Sequence, residues 1–315
     1  MIVTLPADVL DRYTRFTLYN SPYAAHDRGR AVDLYPGDAT HPDPVDDAPV
    51  PAPSPVAGEV LDVRTVAAPS RPYAADEDHL LVVDTAGGNG PAYTTADGDA
   101  PVARLLHVDP VVAPGDRVAV GDRLGDLVRA GFFAPWVANH LHLGFRDRDA
   151  DPYRAAGSLP LALDPALALE PVEWDGTGTV VAADETYAVL DRPVHPEPGT
   201  FAGLAATVDR PEPPTQDGTD AGVLDGGFPH YDGGGLLNGS EDRTEGAVRL
   251  LDAPVGTVAG RDVTWRGRDV YANGDPVRGV ALSPARDELG TKLVGEHDLA
   301  VGTTVDVEVV AAGSG

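Results

Sequence analysis

The chain has 315 residues, 42% of them apolar, and carries a formal charge of −27 at pH 7. That length supports one large or two ordinary domains with real cores, and the composition is that of a globular chain. Cysteine is absent and Lys292 is the only lysine, which removes disulfides, thiolate metal sites, cysteine nucleophiles and any phosphate loop that needs its lysine.

The negative charge is spread along the chain, with Asp ahead of Glu. This distribution fits a surface adapted to high salt (halophilic), where dense carboxylates stay hydrated and are screened from one another. With no basic stripe to displace counterions from phosphates, nucleic acid is not an expected partner. No apolar run is long enough for a membrane span. The first ten residues lack the basic and apolar regions of a secretory signal, so a cytoplasmic location is expected.

In chain order, a short helix is predicted over Pro6 to Tyr13. Runs rich in Val and Leu at 58–63, 79–83 and 103–108, each bounded by turn formers, predict strands. A Pro/Ala/Leu stretch, Leu159 to Pro171, reads as a crossing between two domains, 1–160 and 172–315, with a short helix within it at Asp164 to Leu169. Strands resume at 178–181, 186–190, 247–251, 262–265 and 304–309. Between them, Pro211 to Gly246 is rich in Pro, Gly and Asp and reads as a mobile insertion or a functional loop. The runs Gly87-Gly88-Asn89-Gly90 and Gly233-Gly234-Gly235 read as turns. The chain as a whole is expected to be mainly β.

Three features of the first domain carry chemistry: His26 to Pro36, which contains Val32-Asp33-Leu34; Leu105-Leu106-His107-Val108; and Asn139-His140-Leu141-His142-Leu143-Gly144. His140 and His142, one residue apart in an apolar β pattern, project from the same sheet face. Zinc takes nitrogen and oxygen ligands about 2 Å away, and a strand pair at i, i+2 delivers two of them rigidly. Two ordinary hydrogen-bonded histidines fit the same spacing. His41 and His79 have no motif around them and read as exposed. His195, His230 and His297 lack mutual spacing, although His230 lies in a Gly-rich segment, Gly227 to Asp232.

Context sharpens the pair. Pro114-Gly115-Asp116-Arg117-Val118 leads to Gly121-Asp122-Arg123-Leu124-Gly125 ahead of the His-Leu-His strand, and Pro55-Val56-Ala57-Gly58-Glu59-Val60 lies upstream. In order and spacing these segments resemble the M23 (LytM-like) zinc metallopeptidases over about residues 20–150. The resemblance implies a β-sandwich of the duplicated hybrid motif type, followed here by a second β-rich domain. It implies a Zn2+ ion held by His26, Asp33 and His142, with His107 and His140 assisting hydrolysis of a peptide or protein substrate.

One position departs from the pattern. The family places its first histidine four residues before the aspartate, where this chain has Gly29, and His26 lies seven residues before Asp33. On a regular strand an odd separation puts two side chains on opposite faces, so His26 joins only if a bulge or loop re-aims it. Gly29 suits such a kink. Without His26 the site keeps two protein ligands, and the alternative is a degenerate binding or scaffold protein without metal. The same Pro-Gly-Asp turn also resembles biotinyl and lipoyl carrier hairpins, but those need a lysine that the first domain lacks.

Overall fold

The computed structural model describes residues 2–37, 49–88, 93, 98–209, 221–237 and 245–313. The protein is mainly β and divides into two compact units. One comprises Met1–Phe16 with Tyr23–Leu167, and the other Thr17–Pro22 with Ala168–Gly315. The division falls inside the Pro/Ala/Leu stretch, but that stretch is not a bare crossing. Leu161–Leu163 pairs in parallel with Val3–Leu5 in the first unit, and Leu169–Val172 begins the second.

The helix expected at Asp164 to Leu169 does not form. The Asp164 carboxylate instead accepts the Ala166 N–H at 2.9 Å, and Leu167 N–H reaches the Asp164 carbonyl at 2.9 Å, closing a turn. An Asp side chain that satisfies the backbone two residues on competes with helix. At the N-terminus a single helical turn, Ala7–Leu10, does form and buries Val9 and Leu10.

The first unit centres on a seven-stranded sheet. Its order is Arg15–Thr17, Ala31–Tyr35, Leu141–Arg146, Val102–Leu106, Glu77–Asp84, Gly58–Ala67 and Arg117–Val118. A three-stranded sheet, Pro51–Pro53, Arg123–Leu127 and Val108–Pro110, accompanies it. In the large sheet Leu143 pairs with Val32 and with Leu105, and Leu105 pairs with Leu81. All four, with Leu34, Leu141 and Phe145, are fully buried and form the apolar face. The period of two then fixes the opposite face: Asp33 and Ala31, His142, Gly144 and Arg146, Leu106 and Arg104, and Asp78, Leu80 and Val82. Both faces are covered at the two strands Leu141–Arg146 and Ala31–Tyr35, where every residue is buried.

The second unit is one fourteen-stranded sheet running from Leu169–Val172 to Asp275–Val277 in strand order. Here the expected loose segment at 211–246 needs correction. Residues 221–237 are a hairpin, with Ala221–Phe228 and Gly233–Leu237 paired from Val223↔Leu237 to Gly226↔Gly234. Residues 210–220 and 238–244 lie outside the described residues, as do His41 and, of the other glycine run, Asn89 and Gly90. Gly233-Gly234-Gly235 is strand, not turn. A Cβ on Gly234 would sit 2.2 Å from the Trp265 ring, and one on Gly235 2.4 Å from the Tyr19 ring, so these glycines admit aromatic side chains against the backbone.

Tyr19 belongs to the short segment 17–22 that the second unit takes from the N-terminal part of the chain. Asp225, wholly buried, holds that segment: its carboxylate accepts the Leu18 N–H at 2.6 Å and the Thr17 hydroxyl. Removing a buried charged acceptor strands its donors, at a cost of about 2–4 kcal/mol. Asp225→Ala is therefore expected to lower the unfolding free energy of the second unit by that amount, read as a shift of its urea transition, while Thr17→Val costs less.

Candidate metal centre

Sheet register places the first two groups. His142 lies directly opposite Asp33 across the Leu141–Arg146 and Ala31–Tyr35 strands, and His142 Nδ1 is 2.9 Å from Asp33 Oδ1. His140, two residues before His142, reaches the other carboxylate oxygen, with Nε2 3.4 Å from Oδ2.

His26 arrives by a different route. It ends a short 3-10 turn, Ala24–His26, whose backbone closes through His26 N–H to Tyr23 O at 2.9 Å and Gly29 N–H to His26 O at 3.0 Å. Arg28 and Gly29 then take φ of 55° and 62°, the left-handed region. The parity argument against His26 holds only for extended backbone, and the backbone between it and Asp33 is not extended throughout. His26 Nε2 ends 3.1 Å from Asp33 Oδ1 and 3.0 Å from His142 Nδ1.

Three ligand atoms thus form a nearly equilateral triangle inside the protein, with His26 5% exposed, Asp33 3% and His142 5%. Each carries a lone pair when its group is in the ligating form. No arrangement of protons gives all three edges a linear hydrogen bond, because a donor aimed at one partner points away from the other. A cation shared by all three satisfies them together. Neighbouring ligands of a tetrahedral zinc lie about 3.3 Å apart, close to the edges observed, so this group can hold a metal.

His107 and His140 complete the cluster, their ring centroids 5.1 Å apart and that of His107 5.9 Å from His142. On a continued strand His107 would share the apolar face with Leu105. It instead takes φ of 69°, between strands Val102–Leu106 and Val108–Pro110, and its ring turns to the site. Its Nδ1 is 2.6 Å from Asp78 Oδ2, while His140 Nδ1 donates to the Ala138 carbonyl at 2.9 Å. Phe133 stacks on His140 at 4.4 Å and meets His107 edge-on at 4.6 Å. Tyr35 lies 5.1 Å from His140.

The sequence reading missed Asp78 and Phe133. One acid among fifty Asp and Glu residues carries no local mark. The available signal was its i, i+2, i+4 phase with Leu80 and Val82, which puts it on the site face.

The remaining histidines stay apart from this group. His79 is part-buried beside Thr65, His195 is buried against the Ala285 carbonyl at 3.1 Å, and the His297 ring accepts the Leu299 N–H at 3.0 Å. His230 rests on Tyr231, and burial, with Arg278 nearby, pushes it down to about 4. Among the described residues the His26, Asp33 and His142 group is the one cluster of three or more potential ligands.

Residues 4–163 match the family model described as Domain of unknown function (DUF8155) N-terminal domain, and residues 170–310 match the one described as Domain of unknown function (DUF8155) C-terminal domain. No curated protein and no solved structure matches the chain. Among the described residues no helix is long and apolar enough to cross a membrane.

Burial pushes His140 and His142 down from 6.5 to about 4. Burial alone would raise Asp33, but His140, His26 and His142 outweigh it and hold the carboxyl well below its usual range. In metal-stripped protein the unfolded chain therefore takes up histidine protons near 6.5 while the folded chain declines them until about 4. Stability is complete above 6.5 and falls as pH drops towards 4, with Asp33 adding a further loss only below its ordinary 3.8. The melting temperature of the first unit in chelator is expected to fall across that window. A His140→Gln/His142→Gln double variant is expected to show a flatter profile.

Proposed function

This chain belongs to the DUF8155 family, and from the site it carries we propose that its N-terminal domain is a zinc-dependent peptide-bond hydrolase of the M23 type. The observation that carries the reading is the buried triangle of His26 Nε2, Asp33 Oδ1 and His142 Nδ1, with edges of 2.9–3.1 Å. A catalytic zinc takes three protein ligands and leaves a position for water or substrate, and two further histidines lie beside these three. The resemblance in order and spacing over about residues 20–150 points to the same chemistry.

Zinc held by these residues supplies a Lewis acid and brings the pKa of a bound water towards 7. Asp33 contributes the negative charge of the ligand set, and the Ala138 carbonyl orients His140. His107 and His140 serve as the proton-transfer and oxyanion-stabilising groups for the scissile peptide. The substrate class is a peptide or protein segment.

One observation favours a rival reading. All five groups are at most 7% exposed, and Phe133 lies against both His107 and His140, so a metal-holding or metal-free binding domain with no substrate access also fits.

Metal analysis of protein purified without chelator, joined to assays on peptide libraries, separates these readings. The hydrolase is expected to hold one zinc per chain. His26→Ala, Asp33→Ala and His142→Ala each lose the metal, whereas His107→Ala and His140→Ala keep it and lose about 10²-fold or more in rate. Zinc without cleavage of any peptide favours the binding domain, and a wild type that takes up no zinc overturns the metal centre altogether.

A further inference from the structure

Among the described residues of the first unit, Asp78 is the one fully buried carboxylate that the proposed reaction does not use. It lies on strand Glu77–Asp84 with no exposed surface. Three N–H groups converge on it: Oδ1 accepts the backbone N–H of His79 at 2.7 Å and of His107 at 2.9 Å, and Oδ2 meets His107 Nδ1 at 2.6 Å. Burial alone would raise this carboxyl, but His107 and the two backbone donors outweigh it and hold it below the usual carboxylate range.

An ionised carboxylate only accepts hydrogen bonds. The short contact to Oδ2 therefore requires the proton to be on His107 Nδ1, which in a neutral ring leaves the lone pair on Nε2. The backbone supports the same conclusion. His107 holds φ of 69° without being glycine, a conformation costing on the order of 1 kcal/mol that persists only where the surroundings over-determine it. Asp78 grips both the main chain and the ring of this residue, and so sets its position and its rotation together. On His140 the Nδ1 partner is a neutral carbonyl, that of Ala138, and not a carboxylate.

We infer that Asp78 is a positioning residue that fixes His107 as the Nδ1-protonated tautomer, so that Nε2 is the basic nitrogen His107 offers to the cluster. The tautomer follows from the geometry of Asp78 alone. The consequence for rate rests on the hydrolase reading, in which His107 transfers a proton.

Asp78→Asn keeps the shape of the side chain. Its carbonyl oxygen can still accept the two backbone N–H groups, which turns the amide NH2 towards Nδ1 and drives the imidazole proton to Nε2.

The test is two-bond 1H–15N correlation NMR of the full-length protein, with the His107 ring assigned by its loss in His107→Gln, alongside kinetics on a cleaved peptide. The wild type is expected to show Nδ1–H, Asp78→Asn to show Nε2–H, and Asp78→Glu to restore Nδ1–H at least in part. With zinc content unchanged, Asp78→Asn is expected to lower kcat by about 10²-fold or more with KM within about twofold, since a wrong tautomer removes the base without removing binding. Nε2–H in the wild type overturns the inference, as does an unchanged tautomer and rate in Asp78→Asn. If Asp78→Asn fails to fold, the wild-type spectrum decides. If no peptide is cleaved at all, the hydrolase reading fails while the tautomer still stands or falls on the spectra.

Discussion

A carboxylate buried as deeply as that of Asp33 costs several kcal/mol unless donors or a cation satisfy it, and the first unit brings three imidazoles to it. His26 and His142 share Oδ1 and His140 approaches Oδ2. Two of these contacts exist only because Ala31–Tyr35 and Leu141–Arg146 pair with His142 opposite Asp33. A slip of one residue would turn His142 to the apolar side and carry Leu143 onto the polar one. The same slip would remove Leu141 and Phe145, both fully buried, from the core. Core and cluster therefore select the same register, and neither is satisfied in another.

Along Ala31–Tyr35 and Leu141–Arg146 the polar face of the sheet is as buried as the apolar one. Solvent on that side would screen the cluster and weaken every interaction in it. Instead Phe133 and Tyr35 wall His140, and Phe133 also meets the edge of His107. The Phe133 segment is itself tied down, because Arg129 donates to the carbonyls of Val137 at 2.6 Å and Pro135 at 2.7 Å, and Tyr73 donates to that of Phe133 at 3.1 Å. In such surroundings charge–charge terms are larger than near water. Burial in turn keeps His140 and His142 neutral, which is the form in which a histidine ligates metal.

How much of this was legible follows from backbone regularity. The mainly β character and the shared face of His140 and His142 were readable because a period of two assigns each residue a face, whereas Asp33 was marked by the family resemblance. His26 and His107 defeat that rule, since each reaches the cluster through left-handed backbone, at Arg28 and Gly29 in one case and at His107 itself in the other. Positive φ at Arg28 or His107 leaves no compositional trace, as neither is glycine. Asp78 was hidden by the abundance of acids. In the second unit the error ran the other way: Gly233-Gly234-Gly235 looked like a turn because glycine permits one, whereas its use there is to make room for Tyr19 and Trp265. A single sequence shows that a side chain is missing but not what fills the space.

The two histidines beside the triangle are not equivalent. His140 stands on a strand phase shared with His142, and its orientation comes at no cost in backbone strain. Its Nδ1 is committed to the Ala138 carbonyl, and its Nε2 lies 3.4 Å from Asp33 Oδ2. His107 is held in an unfavourable backbone conformation by a carboxylate that also binds its main chain. A fold spends strain on a residue only where its neighbours repay it, and here the repayment comes from Asp78 and leads to one nitrogen, Nε2. On the proposed reading this asymmetry distributes the work. His140 is held in place beside the metal ligands, and His107 is the group whose proton state changes during turnover. The left-handed turn at His107 is thus as much a part of the site as the sheet register that presents Asp33 to His142.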